Sequence, residues 1–259
     1  MPLLDLFRLE GKRALITGGS RGLGRAIAEA FADAGADLVL LGRDSSSLEA
    51  ARQDLLRFGR RVDTLPGDLS LPSEAERLCQ TALASFAPIH VLVNNVGGRR
   101  LSVPVEDQSL NDWQKLLDLN LTSAFVCCKI LGKPMLERRS GSIINISSIS
   151  GMVVGRGIYG RHYETAKAAL TMFTKTLAVD WAPFNVRVNA ICPGGFLTDA
   201  NRRWFSEKPE LHDLFVSQVP MGRLGDPKEI GPLAVYLASD ASSYMTGAAL
   251  VIDGGYTLW

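Results

Sequence analysis

The sequence predicts an α/β fold: a single doubly wound parallel sheet with helices on both faces. Three observations carry this expectation. Short apolar runs alternate with amphipathic stretches along the whole chain. The runs are apolar on both faces, as strands of a parallel sheet covered on both sides must be. A glycine-rich turn joins the first run to the first amphipathic stretch. With 259 residues, 46% of them hydrophobic, the chain can form one larger α/β domain over residues 1–259 around an ample core.

The first strand is Ala14 to Thr17 in RALIT. Gly18, Gly22 and Gly24 follow, and their missing side chains permit a tight turn that brings backbone N–H groups toward an anion. Ser20, Arg21 and Leu23 lie in the same turn. A helix from about Leu23 to Ala34 and a strand from Asp37 to Leu41 complete a βαβ unit of the nucleotide-binding kind. Next come a helix (Ser45 to Phe58), a strand (Arg61 to Leu65), a helix (Ser73 to Phe86) and the buried strand HVLVNNVG. One long helix is expected from about Leu110 to Arg138, followed by the strand SIINISS. A helix through Tyr163 and Lys167 leads to the strand VRVNAICPGG. A looser segment from Asp199 to Gly225 precedes a helix (Pro227 to Ala238) and the last strand, ALVIDGG. Ligand is expected at the carboxyl ends of such strands.

Composition narrows the classes of function. A net charge of +1 gives no global reason to expect nucleic acid. No apolar run reaches membrane-spanning length, so no membrane partner is expected. Cys79, Cys127, Cys128 and Cys192 show no metal-ligand spacing. With no signal peptide at the start, they read as reduced thiols of a cytoplasmic protein, and no metal is expected.

Tyr163 and Lys167 stand four residues apart, so on a helix they project from one face. A phenol has a free pKa of ~10, and an ammonium one turn away favours its ionised form. Such a pair suits general acid/base work.

Together these segments resemble the short-chain dehydrogenase/reductase family, whose Rossmann-type fold the resemblance implies. Thr17, Gly18, Gly22 and Gly24 match its glycine turn. Asn94, Asn95, Val96 and Gly97 match its NNAG stretch, with Val in place of Ala. Asn120, Ser148, Tyr163 and Lys167 match its active-site set, and Pro193 to Asp199 resembles its PG motif with a downstream Thr. The resemblance runs from about Leu9 to Gly255.

The resemblance implies hydride transfer between a nicotinamide cofactor and an alcohol or ketone carbon. Tyr163 would be the acid in reduction and the base in oxidation, and Lys167 would bond the nicotinamide ribose and lower the phenol's pKa. Ser148 would hold the substrate oxygen, with Ser147 as its rival, and Asn120 would position a water beside Lys167. Asp68 and Leu69 would contact adenine, Asn95 and Gly97 would lie near the cofactor, Pro193 and Gly194 would contact it too, and Thr198 and the backbone around Phe196 would hold the carboxamide. Asn94 reads as structural. Where NAD-preferring members end the second strand in an acidic residue, this chain has Gly42 followed by Arg43. Arg43 and Arg21 therefore favour NADP(H) over NAD(H), because a guanidinium can grip a 2′-phosphate.

Substrate is less determined. Arg99, Arg100, Arg156, Arg161, His162, Arg202 and Arg203 fall in segments expected around the pocket, which points to a polar or anionic substrate such as a keto-gluconate. Solvated loops of ordinary charge explain the same residues. The chain resembles gluconate 5-dehydrogenase-like members and also 3-oxoacyl-carrier-protein reductases. Of the two basic residues with which those reductases dock their carrier, Arg139 matches one and Phe184 replaces the other. A broad carbonyl reductase is a further alternative. The stretch from Ser148 to Tyr163 is longer than in the commonest members, which would reshape the substrate entrance; Tyr159 within it lacks a lysine four residues on and is not the catalytic tyrosine. A non-catalytic, cofactor-sensing relative is the alternative of another class, against which the complete active-site set argues. The resemblance also implies a homotetramer, with Tyr256 and Trp259 available to a second interface.

Overall fold

In a computed structural model, residues 2–99, 103–155, 160–207 and 209–258 are described. Arg100, Arg156, Tyr159 and Trp259, singled out above, lie outside the described residues. Strands β1 (Arg13–Thr17), β2 (Asp37–Gly42), β3 (Val62–Pro66), β4 (Val91–Asn94), β5 (Gly141–Ile146), β6 (Val186–Pro193) and β7 (Ala249–Ile252) form one sheet. Its order is β3-β2-β1-β4-β5-β6-β7, and every pairing is parallel. The chain leaves β1 toward β2 and β3 on one side and returns to β4 on the other. A crevice therefore opens where β1 and β4 end side by side.

Successive residues of each strand feed opposite layers, as the pleat requires. Ile16 and Leu40 pack in one core with Ile27 and Phe31 of helix α1 (Gly22–Asp33) and Leu237 of helix α9 (Ile230–Ala238). Leu15 and Val39 face the other core, with Leu78 of α3 (Pro72–Phe86) and Leu131 of α5 (Ser123–Glu137). These side chains are all fully buried or nearly so. Helix α2 (Ser45–Leu55) is capped by Asp44, whose carboxylate accepts from the Ser46 and Ser47 amides. Among the described residues no helix is long and apolar enough to cross a membrane.

Two expectations are corrected. The single helix from Leu110 to Arg138 is α4 (Leu110–Leu117) and α5 joined by a π-helical turn at Asp118–Thr122. The looser segment after Asp199 contains helices α7 (Asp199–Glu207) and α8 (Pro209–Ser217). Helix α6 (Arg161–Trp181) carries Tyr163 and Lys167 as expected.

Candidate active site

The crevice is a cleft of about 680 Å³. Of the residues expected to hold a cofactor, Gly18, Ser20, Arg21, Gly22, Leu23, Arg43, Asp68, Leu69, Asn95, Gly97, Tyr163, Lys167, Pro193, Gly194, Phe196 and Thr198 line it. Gly24 lies behind the wall. A Cβ there would stand 2.2 Å from the Gly18 carbonyl oxygen and 2.4 Å from Asn95 Nδ2, so only glycine fits.

The glycine turn is held from β4. Asn95 Nδ2 donates to the carbonyls of Thr17 (2.9 Å) and Gly18 (3.2 Å). The Thr17 hydroxyl accepts from the Asn95 and Val96 amides at 2.9 and 3.0 Å and donates to the Val93 carbonyl at 3.2 Å. No side chain caps α1, so its first-turn N–H groups point toward the cleft unclaimed by a cap. This turn, the bare glycine walls and the positive helix end fit a pyrophosphate. At the other end of the cleft wall Arg43 Nη1 stands 3.6 Å from Asp68 Oδ2, while Asp68 Oδ1 accepts from the Ser70 amide.

Ser148, Tyr163 and Lys167 meet at the far end of the same cleft. Lys167 is 3% exposed, and its ammonium donates to the Ile146 carbonyl at 2.8 Å. Burial pulls its pKa down to about 8. The Tyr163 phenol is raised above its usual value by burial, with Ser148 and the Arg99 guanidinium pulling the other way. Lys167 lies 5.8 Å from the Tyr163 ring centroid, and Arg99 lies closer, at 4.7 Å. Arg99 is thus the nearer of the two cations to the Tyr163 ring.

Ser147 is settled in another role. Its hydroxyl donates to the Lys167 carbonyl and shares a 2.8 Å bond with Thr171. Ser148 begins the short 3-10 turn Ile149–Gly151, where its Oγ accepts from the Ser150 amide. Asn120 sits in the π turn behind the cleft. Its Oδ1 accepts from the Gly98 amide at 2.9 Å, and its Nδ2 donates to the carbonyls of Gly98 and Leu116. A Cβ on Gly97 would lie 2.7 Å from Asn120 Oδ1 and 3.0 Å from Lys167 Nζ, so these groups crowd one spot. Asn94 donates to Asn145 Oδ1 at 2.8 Å, and Asn145 donates to Thr174; both asparagines are buried ties between strands and α6.

Sequence reasoning missed Asn145, the Thr17 hydroxyl, Asn201 and Glu164. Asn201 donates to the Phe196 carbonyl and lines the cleft. Glu164, 8% exposed, takes a bidentate pair from Arg99 at 2.7 and 3.1 Å and a contact from Arg161 at 3.3 Å. Two of the arginines read as pocket cations are therefore bound to a carboxylate of this chain. Neither Arg202 nor Arg203 lines the cleft. Arg139 lies over the Phe184 ring at 5.6 Å, occupied by the very residue that replaces the second docking base.

Residues 18–257 match the family model described as enoyl-(acyl carrier protein) reductase. The galactitol 2-dehydrogenase (L-tagatose-forming) of Cereibacter sphaeroides is 37% identical over 260 residues, covering all of both chains. A 3-oxoacyl-[acyl-carrier-protein] reductase of Chlamydia trachomatis is 39% identical over 249 residues, 95% of this chain and 98% of that one. A crystal structure from Beutenbergia cavernae, provisionally assigned as an NAD(P)-dependent gluconate 5-dehydrogenase and holding NADP at low occupancy, superposes with a TM-score of 0.92. It is 33% identical, over 98% of this chain and 100% of its own. With matches spanning the glycine turn, the catalytic helix and the last strand, the chain belongs to the short-chain dehydrogenase/reductase family and is an oxidoreductase acting between alcohol and ketone.

Proposed function

We propose that the protein is an NADP(H)-dependent oxidoreductase that interconverts a secondary alcohol and a ketone on a polyhydroxylated substrate of sugar or sugar-acid kind. The observation that carries this reading is the placement of Ser148, Tyr163 and Lys167 in the same cleft as the uncapped start of α1. When bound there, the nicotinamide supplies the hydride or accepts it. Tyr163 gives a proton to the substrate oxygen in reduction and takes it in oxidation. Ser148 holds that oxygen and stabilises its developing charge. Lys167 binds the ribose. Asn120 fixes the Gly98 backbone on both sides, and with it the floor under Lys167.

NADP(H) is favoured because Gly42 offers no acceptor to a ribose hydroxyl while Arg43 and Arg21 line the same stretch of cleft. Among sugar-like substrates, the neutralisation of Arg99 and Arg161 by Glu164 favours hydroxyl recognition over carboxylate recognition. The galactitol enzyme of Cereibacter, by its name, acts on such a polyol. Replacement by Phe184 of the second basic residue with which carrier-protein reductases dock argues against an acidic carrier protein as the partner.

Initial rates test the reading: galactitol with NADP⁺ or NAD⁺, and 5-keto-gluconate or an acetoacetyl thioester with NADPH. Turnover of polyol or keto acid, faster with the phosphorylated cofactor, is expected. Turnover of the thioester alone would instead make this an acyl reductase. Tyr163→Phe should lose turnover by about 10³-fold while NADPH binding, read by fluorescence, is kept.

A further inference from the structure

The face of Tyr163 is covered by a charge pair that no motif foretells. Arg99, just beyond β4, sends its guanidinium over the phenol ring, with Cζ 4.7 Å from the ring centroid. Glu164 holds it there through both oxygens, at 2.7 and 3.1 Å, and the Gly160 carbonyl accepts a third bond at 3.1 Å. The side chains are 20% and 10% exposed, so solvent screens the pair poorly. Glu164 is itself fixed in the first turn of α6, where the helix end favours an anion. A planar fork so held cannot swing away from the ring without breaking its bonds to Glu164 and to the Gly160 carbonyl.

We propose that Arg99, clamped by Glu164, is a positioning residue that holds a second cation against Tyr163 and so favours its ionised form. The inference rests on the reading of Tyr163 as the acid and base of the reaction. Lys167, whose ammonium donates to the Ile146 carbonyl at 2.8 Å, stands farther from the ring, at 5.8 Å from its centroid. A guanidinium keeps its charge throughout. Among the described residues, the other groups near the phenol are His162 and Arg161 on the same helix, Ser148 after β5, Cys192 of β6 beside Lys167, and Asp112 of α4 beside His162.

The experiment is a near-ultraviolet phenolate titration of the full chain, with and without NADP⁺, each variant read against the same variant carrying Tyr163→Phe. In Arg99→Met the transition should move to higher pH, leaving roughly tenfold less phenolate at a fixed pH below the midpoint. Arg99→Lys, which keeps the charge, should restore most of the wild-type midpoint even if thermal stability falls. Should Arg99→Met fail to fold, Arg99→Gln, which keeps a polar partner for Glu164 and loses the charge, decides in its place. A midpoint unchanged or lowered in folded Arg99→Met or Arg99→Gln overturns the proposal. If Tyr163→Phe kept full turnover, the catalytic reading would fall while the titration still reported whether Arg99 tunes the phenol.

Discussion

At the scale of single residues the site shows where burial and charge disagree. His162, next to Tyr163, is 0% exposed, and neither ring nitrogen has a hydrogen-bond partner among the described residues. Burial, aided by Arg99, holds its pKa below the usual value. Below about pH 6.5 the unfolded chain takes up a proton that the folded chain refuses, so this residue withdraws stability as the solution is acidified. His162→Leu should be equal to the wild type or up to about 2 kcal/mol more stable at pH 7, and should lose part of the acid sensitivity. Denaturant titrations at pH 7 and pH 5 check this; a loss of stability at pH 7 would show that the ring is satisfied in solution. Lys167 works at the alkaline side. With its pKa at about 8 against 10.5 unfolded, the unfolded chain binds more protons between those values, so ligand-free stability should climb as pH rises through them. Lys167→Met should flatten that climb and abolish turnover. Tyr163, Lys167 and Ser148 were legible because helical spacing and chemistry coincide within short motifs. The Arg99–Glu164 pair was not: 65 positions separate its members, and only the fold brings them together.

At the scale of elements, periodicity found where helices lie and missed how they deviate. The π turn at Asp118–Thr122 lies inside one continuous helical stretch, and its outer faces keep the same polarity, so the sequence read as a single helix. Its purpose is visible only in contacts: the Asn120 amide fills the irregular ladder by donating to the Leu116 carbonyl and grips Gly98 across the gap. Asn120→Ala should cost about 1–3 kcal/mol of stability and lower turnover more than it weakens cofactor binding. Thermal melts beside cofactor titrations separate the two effects, and an unchanged melt would mean that the turn supports itself. Helices α7 and α8 escaped notice for a different reason. Their stability comes from distant aromatic partners: Phe205 packs against Phe215, which stacks on Tyr256 at 4.9 Å.

At the scale of the molecule, the sheet order, the two cores and the cleft at the ends of β1 and β4 follow the sequence closely, because strands apolar on both faces leave few other arrangements. What a single chain could not disclose is which surface awaits a second copy. Leu110, Phe125, Met172 and Val179 are 81%, 47%, 58% and 75% exposed on α4, α5 and α6, an apolar extent unusual for a free face. Val179→Glu with Met172→Glu should shift the mass seen by light scattering from oligomer toward monomer; a wild type already monomeric at micromolar concentration would remove the expectation of a tetramer. The cleft itself needs no such partner to keep its shape. Thr17 and Asn95 already lock the turn between β1 and α1 from the neighbouring strand, so the incoming dinucleotide finds a rigid receptor and freezes little new motion. Binding should accordingly proceed with a modest entropic penalty, and amide hydrogen exchange at Gly18, whose N–H donates to the Leu41 carbonyl, should be slow before any ligand is added.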